Sequence, residues 1–152
     1  MKRNTYWLVA ILIVMALLLA GIIPASAAQK TQFTCEETLL EITDWGVWTY
    51  PDGNIHFRGM VFILYEWASD SRVIGTNYAT QNANWGPDET GPVWGTFRIV
   101  NSDGWWEGTW NGVATAEGYR YDAVGKGFGD YAGLNFRWHM APEGCSGVIF
   151  EH

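Results

Sequence analysis

The sequence predicts an all-β fold, a closed antiparallel β-barrel of about eight strands in meander order, preceded by an N-terminal signal peptide. Three observations predict it. Beyond residue 30 no helical period persists, and glycine recurs throughout: of 18 glycines only Gly21 precedes residue 28. Such spacing leaves no room for a helix of useful length. Aromatic and β-branched residues gather instead into runs of strand length, and turn signals separate the runs at hairpin spacing.

The leader comes first in the chain. Lys2 and Arg3 are followed by a nearly unbroken apolar run, Tyr6 to Ile23, and then by Pro24-Ala25-Ser26-Ala27. Charge, apolar core and a small-residue A-x-A site in that order are what signal peptidase reads. Residues 1–27 are therefore expected to be removed, leaving one domain over 28–152 that starts at Ala28 or Gln29. A retained anchor is the alternative, because the run approaches the ~18–20 residues that span a bilayer. A proline followed by small residues, with no basic cluster after it, argues against an anchor. The expected location is secreted or periplasmic, with no membrane association after cleavage.

The mature length of about 124 residues suits one domain with one core. The whole chain holds 9 basic and 16 acidic residues, and losing Lys2 and Arg3 takes the net charge from −7 to −9. An acidic surface disfavours nucleic acid, since phosphate binding needs a basic face, so no nucleic-acid partner is expected. Cys35 and Cys145 are the two cysteines, and in an oxidising compartment they are expected to form one structural disulfide.

The strands follow in order. Trp45–Tyr50 and Ile55–Trp67 flank Pro51-Asp52-Gly53-Asn54, a tight turn in which Pro sets φ and Gly accepts a positive value. Arg72–Gln81 comes next, then a long connection, Asn82–Pro92. Val93–Val100 and Trp105–Ala114 flank Asn101-Ser102-Asp103-Gly104, and Ala116-Glu117-Gly118 leads into Tyr119–Val124. A glycine-dense bend, Gly125–Asp130, precedes Tyr131–Met140, and Ser146–Glu151 completes the set. Short hairpins in series give a meander, and about eight strands is the number at which a meander closes. An open sandwich is the alternative. If Trp45–Tyr50 pairs with the last strand, Cys35 must reach the far end of the barrel through Glu36–Asp44. Nine extended residues span roughly 30 Å, so that segment is expected to be extended, with a further strand as one form it can take.

Period-two alternation sorts the faces. Trp106, Gly108, Trp110 and Gly112 share one side, and Trp105, Glu107, Thr109, Asn111 and Val113 the other. Leu134, Phe136, Trp138 and Met140 oppose Asn135, Arg137 and His139. Alternation of a large ring with glycine suits a curved inner wall. The middle of Ile55–Trp67, Met60 to Leu64, is apolar on both faces, so a cover on its outer side is expected too.

The bend Gly127-Phe128-Gly129-Asp130-Tyr131-Ala132-Gly133 reads G-x-G-x-[FY]-x-G and enters a strand directly. It resembles the late glycine-rich turn of the allene oxide cyclase and dirigent-like barrels, over roughly residues 94–140. The resemblance implies a closed eight-stranded barrel. No position here matches the polar pocket residues of the cyclases, so it implies no catalytic residue, and a fold of this kind hosts several functions.

Candidate chemistry is sparse. His56, His139 and His152 lack ligand spacing, and two distant cysteines cannot complete a metal site, so no metal or cofactor is expected. His139, Arg137 and Asn135, with Glu107 and Asn111, would form a catalytic pocket only if their faces turned inward. The apolar opposite faces make them a solvated outer wall, and an enzyme is not the favoured reading. Nine tryptophans beyond Trp7 are the unusual feature. Trp106, Trp110, Tyr121 and Trp138 are the candidates to line a ligand cavity, and Trp67, Trp85 and Trp94 to form an exposed platform for sugar rings. A barrel holding a small apolar molecule or a partner is the first reading. A carbohydrate-binding module and a cyclase-like enzyme or guide are the alternatives.

Overall fold

The computed structural model describes residues 30–151. The expected signal peptide, residues 1–27, lies outside the described residues. The chain forms nine strands, β1 (Lys30–Asp44), β2 (Val47–Thr49), β3 (Ile55–Ala68), β4 (Gly75–Trp85), β5 (Gly91–Val100), β6 (Gly104–Thr115), β7 (Gly118–Gly129), β8 (Leu134–Ala141) and β9 (Gly144–Glu151). From β3 to β9 each strand pairs antiparallel with the next, and β1 pairs with both β9 and β3. The hydrogen-bonded sheet thus returns on itself as a ring, as the run of short hairpins predicts.

The closing strand differs from the expectation. Trp45–Tyr50 does not pair with the last strand. That role falls to the segment before it: Lys30–Cys35 lies along β9, with Lys30 opposite Phe150 and Cys35 opposite Cys145. The second half of β1 then pairs with β3, from Cys35 opposite Ala68 to Asp44 opposite Val61. The short β2 continues the line of β1 along β3, opposite His56 to Arg58. Gly46 makes the break between them, with φ of +65°, and a Cβ there would meet the Arg58 carbonyl oxygen at 2.2 Å. The expected Trp45 strand is thus the tail of a broken first strand, whose long half includes Glu36–Asp44, the segment expected to be extended as a further strand. The expected long connection is also shorter, because β4 runs on to Trp85 and a tight Gly86–Thr90 turn follows, closed by a Gly86–Thr90 backbone bond of 2.8 Å.

Cys35 and Cys145 form the disulfide directly across β1 and β9, with Cα atoms 4.9 Å apart. No detour along the molecule is needed, because β1 itself starts beside β9.

The predicted faces hold. Trp106 and Trp110 are buried while Glu107 and Asn111 are exposed, and Phe136 and Trp138 are buried while Arg137 and His139 are exposed. Glycine leaves room for rings on the inner wall: a Cβ on Gly108 or Gly125 would stand 2.7 and 2.9 Å from the tip of Phe97. At one end Trp106 fills the ring. Its indole stacks on Tyr131 at 5.2 Å, meets the edge of Phe136 at 5.0 Å, and donates to the Arg72 carbonyl at 2.7 Å. Val73 and Ile99 are wholly buried beside it. The outer side of β3 carries Val61, Ile63, Tyr65 and Trp67, and among the described residues the expected cover is not found. The elements packed on β3 are its sheet neighbours β1, β2 and β4, and Trp67 stays exposed.

Candidate functional site

The other end of the ring is hollow. A cavity of about 860 Å³ lies above Phe97, walled by Met60, Phe62 and Leu64 of β3 and by Trp110, Tyr121 and Trp138 of β6, β7 and β8. These side chains face inward because each sits in phase with the apolar set of its strand. The residues around the opening include Gly118, Tyr119, Pro142 and Gly144 at the hairpin turns, together with Trp45, Trp48 and Trp85. The cavity therefore opens at the end opposite the Trp106 plug. At the rim Trp48 stacks on Phe57 at 4.7 Å, and Trp85 meets the Phe57 ring edge-on at 5.0 Å.

Three of the four cavity residues expected from the sequence come together. Trp110 and Tyr121 have ring centroids 5.3 Å apart, and Tyr121 and Trp138 are 6.3 Å apart, forming one aromatic wall. Trp110 is fixed by a bond from its indole nitrogen to the Thr80 carbonyl at 3.1 Å. Trp106 does not reach the cavity, because it lies one ring layer deeper, beneath Phe97 and Phe136. Alternation gives the side of a strand but not the depth along the axis, so the two were indistinguishable in the sequence.

The platform candidates separate. Trp85 turns inward and lines the cavity. Trp94 lies under the Arg58 guanidinium at 5.0 Å. Trp67 is exposed, with Tyr65 beside it at 4.8 Å and tilted by 58°. His139 lies on the outer wall, 2.9 Å from Asp122, and Glu107 contacts Arg98 there at 3.3 Å. Those polar side chains face away from the cavity. Among the described residues no cluster of three or more His, Cys, Asp or Glu is placed to hold a metal.

A polar cluster that sequence reasoning missed sits in the cavity wall. Glu37 of β1 and Glu66 of β3 are register partners on the inner face. Glu66 is wholly buried, and Asn77 of β4 donates to its Oε1 at 2.7 Å. Burial, reinforced by the charge of Glu37, pushes the Glu66 carboxyl up to about 9, so it carries a proton at neutral pH. Burial raises Glu37 as well, against hydrogen bonding from Tyr121. Burial also drives the Tyr121 hydroxyl up, with the Glu37 charge adding to it, so the phenol stays neutral. Two atoms here find no partner: Glu66 Oε2 and Asn77 Oδ1. Gln81, nearer the rim, donates to the Tyr119 hydroxyl at 3.3 Å. The signal was present in the sequence: Glu66 alternates in phase with Phe62 and Leu64, which places an acid on an apolar inner face.

Comparison of the chain with protein-family models, curated proteins and solved structures finds no match. The site's own chemistry is what speaks to function.

Proposed function

We propose that the chain is a small-molecule-binding β-barrel that acts outside the cytoplasm and holds an apolar ligand in its open end. One observation carries this reading: a cavity of about 860 Å³, walled by tryptophan, tyrosine, phenylalanine and aliphatic side chains, with a few polar groups at one side. Cavities of some hundreds of Å³ with that lining are the usual sites for small organic molecules. The disulfide supports the extracytoplasmic part, since such bonds persist in oxidising compartments. Among the described residues no helix is long and apolar enough to cross a membrane. The likeness of the Gly127–Gly133 bend to allene oxide cyclase and dirigent-like barrels fits a binding barrel and adds no catalytic residue. The sugar-platform reading rests on Trp67, a single broadly exposed ring among its three candidates.

The test is a fluorescence titration with N-phenyl-1-naphthylamine, a neutral apolar probe that brightens when removed from water. The expected result is saturable binding at one site, weakened about tenfold or more in Trp110→Ala, as removal of a contacting ring predicts. Circular dichroism of that variant should remain that of the folded chain. Unsaturable brightening, or unchanged affinity in the folded variant, would remove the cavity from the account.

A further inference from the structure

The cavity has acids and no base. Glu36 and Glu37 line it, Glu66 stands behind Glu37, and among the described lining residues there is no lysine, arginine or histidine. A carboxylate taken out of water is expected to find a cation or several donors, because leaving it alone is costly. The Asn77 amide is spent on Glu66, while the Tyr121 hydroxyl and the protonated Glu66 carboxyl both serve Glu37. Among the described residues, unpaired buried groups of both kinds stand here: the Trp138 indole N–H has no acceptor, and Asn77 Oδ1 has no donor. The acceptor that faces the cavity unpaired is Asn77 Oδ1, on a residue 3% exposed that lines it.

Aromatic faces stand next to this cluster. Tyr121, which touches Glu37, is flanked by the rings of Trp110 and Trp138. Tryptophan and tyrosine faces attract a desolvated ammonium through the ring quadrupole, and do so most strongly beside a carboxylate that is itself short of solvent. Resting on the cavity reading above, we infer that the ligand is an apolar molecule carrying an ammonium group, seated between the Glu37–Glu66–Asn77 cluster and the rings of Trp110, Tyr121 and Trp138. The apolar remainder lies toward Phe62, Leu64 and the tryptophans of the rim. Such a ligand supplies the positive charge that the cavity lining lacks.

The upward shifts of Glu37 and Glu66 fit a site whose counter-charge is absent. The groups that meet the pair are Asn77 from β4 and Tyr121 from β7, and neither brings a positive charge. A bound ammonium favours the ionised pair, so its binding expels a proton and weakens as the pH falls.

The experiment compares three eight-carbon probes that differ only at the head: octyltrimethylammonium, octanol and octyl sulfate. Each displaces N-phenyl-1-naphthylamine from the protein at fixed salt, so only binding in the cavity is read. The expected order is cation, then alcohol, then sulfate, with the cation more than about tenfold tighter than the alcohol at pH 8. That margin should shrink on lowering the pH to 5, although the quaternary head keeps its charge. Glu37→Gln should abolish the margin and leave octanol binding intact. Glu107→Gln, on the outer wall, should leave it unchanged, which separates the cavity acids from the general negative charge. Octanol displacing the probe as well as the cation does would overturn the ammonium inference and leave the cavity reading standing. Failure of all three probes, with no binding of N-phenyl-1-naphthylamine itself, would overturn both.

Discussion

Glu66 is an acid on an inner face, with no cation beside it among the described residues and a hydrogen bond from the Asn77 amide. Its protonation makes stability depend on pH in a stated direction. The carboxyl is raised from 4.5 to about 9 by folding, so between those values the folded chain holds a proton that the unfolded chain has released. The stabilisation is complete below the lower value and is lost as pH rises through the upper one. Asp70 works the other way, since its hydrogen bond from Arg72 holds it low and its contribution fades in acid. The ligand-free protein should therefore be most stable near about pH 5, and its melting temperature should fall steadily toward pH 9. Glu66→Gln should flatten that slope. An unchanged slope in the variant would mean that Glu66 is ionised in the fold. Two tryptophans on the same face of β6 separate by the same kind of measurement. Trp106→Ala opens a void against Tyr131 and Phe136 and should cost about 3–5 kcal/mol, read as a loss of unfolding free energy in urea. Trp110 borders space already present, so its truncation should cost less and act on ligand affinity. Equal losses in the two would contradict the division between plug and cavity wall.

At the scale of elements, β1 determines closure. Its first six residues hold β9 and its remainder holds β3, so one strand seals the ring on both sides. The disulfide pins this seam at Cys35, the residue where pairing passes from one neighbour to the other. Its two cysteines are 110 residues apart, and restricting a loop of that length stabilises by roughly 4–5 kcal/mol on chain-entropy arguments. The double variant Cys35→Ser, Cys145→Ser should unfold at markedly lower urea, and hydrogen exchange should rise first in Lys30–Cys35 and β9. Uniform exchange across all strands would count against a seam there. Most of this level was legible in the sequence: the hairpins, their turns and the facing of Trp106, Trp110, Phe136 and Trp138 follow from period two and turn chemistry. The identity of the closing strand was not. Lys30–Asp44 is rich in Glu and Thr with few aromatics, and its β character comes from pairing with β9 and β3 more than from its own pattern. The acid pair was half legible. Phase puts Glu66 inside, but nothing local brings Glu37 to it, because their meeting depends on the β1–β3 register.

For the molecule as a whole, the two ends of the ring divide the work. Trp106, Tyr131, Phe136, Val73 and Ile99 make a packed base, while Trp48, Trp85, Trp110, Tyr121 and Trp138 surround open space. A filled base allows the upper half to stay hollow, since the ring is closed by continuous hydrogen bonding and by the disulfide rather than by packing through its centre. Depth along the axis decides which tryptophans serve stability and which face a ligand, and depth emerges only when all the strands are in register. The outer wall carries polar pairs at His139–Asp122 and Arg98–Glu107, away from the cavity, and Arg120–Glu143 joins the two hairpins that border its opening. The central claim is that this hollow end takes one small apolar molecule. Native mass spectrometry of the oxidised chain, with increasing N-phenyl-1-naphthylamine, tests it most directly. The account predicts a single one-to-one adduct, on a chain two hydrogens lighter than its reduced form, that disappears on denaturation. A bare ion at every probe concentration, or a ladder of adducts without a preferred number, would contradict it.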